Sequence, residues 1–356
     1  MIYGSTHAGA ALDATPDGKE GWLPYFLRNN LATVVMKQPG RGRSGFDQSI
    51  LVETQGTQDW CKISSNFSRI ADNGAWTTWF GHLIPAGSNI TNDTMIRHSD
   101  PGDPDLPEDT IQPSEKHGKY LPKFPIPPVA NSADAAALAR KGAIGPAPNP
   151  ANNPYLGLEY YKQQVPNGEA TLPGSVCQSC SNPNLIAIDT WLPAAIADFV
   201  EGLGGAIVSP HSQSTSSVFH MVRIMTKRGK LHLIKGIIIP EGAGTNLAVA
   251  GLVGADFDSI PFLMLNSDYR PLATRQMNHS SVDEMHASPI RKAGKALSLN
   301  VEDPMFKGKL LDYTHMGMLG ATSLPEFDFF LKWAAANIPN PMLRKSCEWK
   351  KGLQSS

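Results

Sequence analysis

The chain has 356 residues, of which 41% are hydrophobic and 18% charged, a balance that supports a large core and excludes wholesale disorder. A formal net charge of −1 argues against an electrostatic grip on a nucleic-acid backbone, and no apolar run approaches the ~18–20 residues that cross a bilayer. The length suits one α/β domain carrying an insertion better than two independent domains.

In chain order, Ile2-Tyr3 is a very short apolar start that ends at Gly4. Residues 21–27 space their apolar side chains as a helix does, with Pro24 tolerable only in a first turn. Ala32-Thr33-Val34-Val35-Met36 is a continuous apolar, β-branched run and predicts a strand buried on both faces. Gln38-Pro39-Gly40-Arg41-Gly42-Arg43-Ser44-Gly45 then breaks all regular structure.

From about Thr54 to Ser181 the pattern is irregular, apart from a short Ala-rich helix expected at 133–141. The composition includes 32 Gly and 29 Pro, and roughly half of the prolines fall between Pro101 and Pro173. So localised a concentration predicts one long excursion from an otherwise regular fold. It carries scattered aromatics such as Trp60, Trp76, Trp79, Phe80, Tyr160 and Tyr161.

Regular alternation then returns. Residues 194–203 read as a helix ended by Gly204-Gly205, followed by a strand at Ala206-Ile207-Val208 and a helix at 216–226. Strands are expected at 233–239 and 262–265. A helix is expected at 282–296 with a break at Pro289, then a last strand at 297–300 and a closing helix at 326–338. This alternation predicts an α/β fold with a doubly wound, mostly parallel sheet. The organisation is a first core segment at 1–54, a cap insertion at 55–185 and a second core segment at 186–356.

Cys61, Cys177, Cys180 and Cys347 are enough for two disulfides, but Cys177-Gln-Ser-Cys180 lacks the second pair of a zinc site, and neither metal nor cofactor is expected. Sequons stand at Asn66, Asn89, Asn92 and Asn278, about as many as chance supplies in a chain rich in Asn, Ser and Thr. Met1-Ile-Tyr-Gly4 leads straight into polar sequence without the apolar stretch of a secretory signal, so a cytoplasmic location is the default and secretion stays open.

In an open parallel sheet the working residues lie in loops at the carboxyl ends of strands. After Ala206-Ile207-Val208 come Ser209-Pro210-His211-Ser212-Gln213-Ser214-Thr215 and a helix. A serine on a tight strand-to-helix turn is lifted clear of the sheet, with the helix N-terminus aimed at a developing oxyanion; an ordinary N-cap is the competing reading. Glu241 follows the strand at 233–239, Asp268 follows the one at 262–265, and His315 precedes the final helix. The order Ser…Asp/Glu…His on β/α units is that of a hydrolase triad, in which histidine takes the serine proton and the carboxylate orients the imidazole.

Gly4-Ser5-Thr6-His7-Ala8-Gly9 and Gln38-Pro39-Gly40-Arg41-Gly42-Arg43-Ser44-Gly45 resemble the oxyanion loop and the following D-x-x-G-x-G-x-S turn of the α/β-hydrolase superfamily. More narrowly, Thr15-Pro16-Asp17-Gly18 with Gly21-Trp22, Pro39-Gly40-Arg41-Gly42-Arg43-Ser44 and His211-Ser212-Gln213-Ser214 resemble a small group of bacterial esterases with an S-H-S-Q-S-G nucleophile motif. In that group a glutamate after the sixth strand is the acid.

The resemblance covers about 4–47 and 205–338. It implies Ser212 as nucleophile, His315 as general base and Glu241 as acid, with Asp268, where most of the superfamily keeps its acid, as the alternative. The oxyanion donors would be the backbone N–H of Gln213 and that of Ser5 or Thr6. His7, His211 and Met316 are candidate substrate contacts, although His211 also suits a packing role. Arg41 and Arg43 are expected to brace a turn.

The chain departs from the pattern at Pro210, where a small residue is expected, and at Thr215, where glycine is expected. It also begins almost directly at the oxyanion-loop strand, and a sheet edge left bare would invite a homodimer or cover by the cap. The expected activity is hydrolysis of a carboxylic ester or lactone of a mid-sized hydrophobic or aromatic small molecule through an acyl-enzyme. The alternatives are an acyltransferase or cyclase using the same triad, and a non-catalytic binding protein. No nucleic-acid or membrane partner is expected.

Overall fold

The computed structural model describes residues 1–4, 7–14, 20–38, 42–44, 52, 55–58, 191–243, 246–266, 272–285, 295–301, 303–307, 309–310, 315–319 and 323–339. Apart from residues 55–58 the expected insertion lies outside them, as do the four cysteines and the sequons at Asn66, Asn89 and Asn92.

Four strands, β1 (Ala206–Val208), β2 (Ile234–Pro240), β3 (Phe262–Asn266) and β4 (Ala296–Asn300), form a sheet in that order, and every neighbouring pair is parallel. Because successive strand residues point to opposite faces, the apolar runs divide between two cores. Ile237, Ile239, Phe262 and Met264 join one buried cluster, while Ile238, Leu263 and Leu265 join the other.

Helices α2 (Leu192–Gly202) and α3 (Ser214–Lys227) pack against each other and cover the first face, where Phe219, Phe257 and Phe262 meet with ring centroids 5.6–6.3 Å apart. Helices α1 (Trp22–Arg28) and α5 (Ser323–Asn337) cover the second. There the Phe327 ring takes the edges of Tyr25 and Phe26 at 4.7 and 4.1 Å. Two hydrogen bonds fasten these helices, from Tyr25 Oη to Asp328 Oδ1 at 2.6 Å and from Trp22 Nε1 to the Ser323 carbonyl at 3.1 Å. A sheet buried on both faces is what the unbroken apolar strands require.

The α2–β1 connection is a Schellman turn. Gly204 has φ +71°, its N–H bonds Glu201 O, and Gly205 N–H bonds Val200 O. Only glycine takes this left-handed conformation without strain.

The sheet continues beyond β1 through Ile2, which bridges Pro210 on one side and Met36 on the other, both in parallel sense. The chain thus runs outward from Ile2 to Met36, reappears beside Ile2 at β1, and proceeds in the opposite direction through β2, β3 and β4. That reversal is a topological switch point, and such sheets keep their ligand crevice there, outside the carboxyl ends of the strands.

Two expectations need correction, and one helix was not expected. Residues 32–36 do not form a strand buried on both faces. Among the described residues Met36 makes a single bridge and only Met1 and Ile2 run alongside, and Val34 is 44% exposed. Next to them a groove of about 470 Å³ opens between this segment and β1, lined by residues such as Ala32, Val34, Ile207, Phe199 and Phe330.

A helix that the sequence did not announce, α4 (Leu272–Asp283), precedes the one expected at 282–296, of which residues 286–294 lie outside the described residues. The buried positions of α4 include Asn278, Ser281 and Val282, so polar residues occupy the inward stripe and hide the helical period. Finally, α5 begins at Ser323 rather than 326, with Pro325 in the first turn where its missing N–H is not needed.

Asn278 is fully buried, which leaves no room for a glycan on its sequon in the folded chain. Its Nδ2 donates to Asn266 Oδ1 at 2.7 Å, and Asn266 Nδ2 reaches Ser298 Oγ at 3.0 Å and the Leu299 carbonyl at 3.1 Å. Asn278→Ala strands the buried Asn266 carbonyl oxygen. The expected cost is about 1–3 kcal/mol, read as a lowered urea midpoint with an unchanged slope.

Candidate active site

Beyond β1 the chain stays extended as far as His211. Ile2 N–H donates to Ser209 O and His211 N–H donates to Ile2 O, both at 2.9 Å. These bonds use the residues on either side of Pro210 and ask no N–H of it, which is how the proline is accommodated.

The backbone then turns sharply. Ser212 has φ +54°, and Gln213 already has helical angles at the N-cap of α3. A serine held in the left-handed region costs on the order of 1–3 kcal/mol and persists only where its surroundings over-determine it. Here they do. Ser212 N–H donates to Glu241 O at 2.9 Å, and its carbonyl accepts from Thr215 N–H at 3.0 Å and Ala243 N–H at 3.2 Å. Ser214 braces the turn from inside, its Oγ lying 2.7 Å from His211 O and 2.9 Å from Ile2 O.

Glu241, just past the end of β2, is also left-handed, with φ +62°. Its N–H donates to Leu265 O at 3.0 Å while its carbonyl receives the Ser212 N–H. Two strained residues at the ends of adjacent strands are therefore bonded to each other through their backbones.

His315 closes the group. Its Nε2 lies 2.6 Å from Ser212 Oγ, and its Nδ1 lies 3.9 Å from Glu241 Oε1. The first is a short hydrogen bond; the second is longer than a hydrogen bond but close enough for charge attraction once the ring is protonated. With Nε2 accepting from the hydroxyl, the neutral ring carries its proton on Nδ1, on the carboxylate side. His315 and Glu241 side chains are 1% and 0% exposed and Ser212 is 7% exposed, so an imidazolium formed at His315 would face the carboxylate in a poorly hydrated site. The hydroxyl, imidazole and carboxylate thus form a line along which a proton can leave oxygen while the resulting imidazolium faces an anion.

Of the other expected site residues, Ser5, Thr6, Asp268 and Arg41 lie outside the described residues, and Arg43 is on an exposed 3-10 turn at Gly42–Ser44. Gln213 occupies the N-cap of α3. His7 and His211 are both buried, their rings edge-to-face at 6.2 Å. His211 engages the backbone of His315, with its Nε2 2.5 Å from the His315 carbonyl oxygen. Met316 is fully buried within the core cluster that includes Trp22 and Phe327. Among the described residues no group of three or more His, Cys, Asp or Glu is arranged to hold a metal ion.

Two contributors were not singled out from the sequence. Ser214 stands in the motif without a role of its own there, and its bracing role needs the Ile2 carbonyl, 212 positions away. Gly4 was read as loop: a Cβ there would fall 2.5 Å from Ser212 Cβ and 3.1 Å from its Oγ.

The chain resembles the solved structure of a bacterial esterase, with a TM-score of 0.58 and 21% sequence identity, over 94% of this chain and 80% of the other. At that identity the likeness is one of fold. No protein-family model and no curated protein matches the sequence.

Gly4→Ala forces a methyl group against a Cβ that cannot rotate away. It is expected to cost about 1–3 kcal/mol in thermal or urea unfolding and to lengthen the Ser212–His315 hydrogen bond in a crystal structure of the variant.

Proposed function

We propose that the chain is a serine esterase of the α/β-hydrolase type, cleaving a carboxylic ester or lactone through an acyl-enzyme. The observation that carries this reading is the 2.6 Å hydrogen bond between Ser212 Oγ and His315 Nε2, made by a serine strained into the left-handed region at a strand-to-helix turn. An N-capping serine would spend its hydroxyl on the helix backbone. This one directs it at an imidazole.

Ser212 Oγ attacks the ester carbonyl as His315 Nε2 takes its proton. The carbonyl oxygen becomes an oxyanion, received by the backbone N–H of Gln213 at the head of α3 and a second N–H from Ser5 or Thr6. His315 then returns its proton to the departing alkoxide and the alcohol leaves. Water, activated by the same imidazole, attacks the acyl-enzyme and releases the acid. Glu241 serves as the acid of the triad, a role favoured by its 3.9 Å approach to Nδ1.

The 14-residue helix α3 (Ser214–Lys227) adds a dipole whose positive end faces the oxyanion. The aromatic content of the Pro-rich insertion favours an apolar or aromatic acyl or alcohol group.

Hydrolysis of a p-nitrophenyl ester series of rising acyl length tests the reading. Ser212→Ala and His315→Ala are each expected to lower kcat by at least about 10³-fold, with Ser212→Ala also abolishing labelling by a fluorophosphonate. Glu241→Gln is expected to cost more than Asp268→Asn. The reverse ranking would move the acid to Asp268, and a wild type with neither turnover nor an acyl-enzyme mass shift would overturn the esterase reading.

A further inference from the structure

His211 offers a second link between the nucleophile turn and the histidine loop. It is 3% exposed, and its Nε2 lies 2.5 Å from the carbonyl oxygen of His315, 104 positions away. A carbonyl oxygen only accepts, so His211 Nε2 is the donor and carries the ring proton. Its ring is 4.7 Å from that of His315, tilted by 44°, and the His7 ring meets its other neighbourhood edge-on at 6.2 Å. His211 is also covalently next to Ser212, and its own N–H is fixed on Ile2 O at 2.9 Å.

The connections form a closed circuit. Ser212 Oγ meets the His315 ring at 2.6 Å, the His315 backbone accepts from His211 at 2.5 Å, and the peptide bond returns from His211 to Ser212. The imidazole that must stay aligned with the hydroxyl is therefore anchored at its backbone by the residue beside that hydroxyl. Neither end can shift without the other.

We propose that His211 is a positioning residue for the Ser212–His315 pair, acting as a fixed Nε2–H donor to the His315 carbonyl rather than as a substrate contact or a second base. This inference rests on the esterase reading of Ser212 and His315. Its work is alignment: a misplacement of about 1 Å of a reacting group costs on the order of 10²-fold in rate, and a hydrogen bond to the backbone of the base limits that error. The same bond occupies Nε2, so His211 has no proton-accepting atom on that side to offer a substrate.

Two substitutions separate the donor from the ring. His211→Phe keeps a flat ring and loses the N–H, whereas His211→Gln loses the ring and keeps an amide donor at about the reach of Nε2. On p-nitrophenyl esters, His211→Phe is expected to lower kcat by about 10- to 100-fold with KM nearly unchanged, the pattern of lost alignment and not of lost binding. His211→Gln is expected to recover most of that loss, and circular dichroism should show both variants folded.

A nitrogen-15 NMR spectrum of histidine-labelled Ser212→Ala protein reads the tautomer without relying on turnover. It should show Nε2 of His211 protonated. Wild-type kcat in folded His211→Phe, an equal loss in both variants, or the opposite tautomer would each overturn the proposal. A wild type inert toward esters and fluorophosphonate, with the tautomer as stated, would instead count against the esterase reading.

Discussion

The site depends on one backbone hydrogen bond, the 2.9 Å link from Ser212 N–H to Glu241 O. It joins two residues that both occupy the left-handed region, at φ +54° and +62°. Either conformation alone is unfavourable for a residue with a side chain. Together they let β1 and β2 remain paired past their regular ends while both chains turn away from the sheet. The side chains that result, a hydroxyl and a carboxylate, converge on the two nitrogens of His315 from opposite ends. Strain at this point is the geometric condition for placing three polar groups in a line above an apolar sheet.

The rest of the fold holds that condition rigid. Both faces of the sheet are packed, the first by α2 and α3 with Phe219, Phe257 and Phe262, the second by α1 and α5 around Phe327. A strand covered on both sides cannot rotate to relieve its end, so the cost of the left-handed residues is met by burial elsewhere. Ile2 completes the arrangement. It separates the outgoing and returning halves of the chain, and its carbonyl receives both the His211 N–H and the Ser214 hydroxyl.

Much of this architecture is legible in the sequence because its signals are local. The runs Ile237-Ile238-Ile239 and Phe262-Leu263-Met264-Leu265 announce buried parallel strands, and Gly204-Gly205 announces the end of α2, where the observed Schellman turn forms. The failures are equally physical. Helix α4 turns Asn278 and Ser281 inward, because Asn266 on β3 supplies a hydrogen-bond partner for Asn278, and no periodicity of apolar residues marks it. Residues 32–36 have the composition of a central strand, but a ladder needs neighbours, and composition does not say how many will come.

By itself, the sequence determined the α/β class, the succession of β/α units along the chain and the identity of Ser212, Glu241 and His315 as polar residues following strands or preceding the last helix. Those features follow from short-range periodicity and from which residue types interrupt it. Tertiary structure alone decided that Ser212 Oγ and His315 Nε2 would stand 2.6 Å apart, that Gly4 would lie too close to Ser212 for any Cβ, and that His211 would reach the His315 carbonyl. These contacts join residues from one hundred to more than two hundred positions apart. They exist because the parallel strands bring their carboxyl ends to one crevice, with Ile2 seating the start of the chain beside β1.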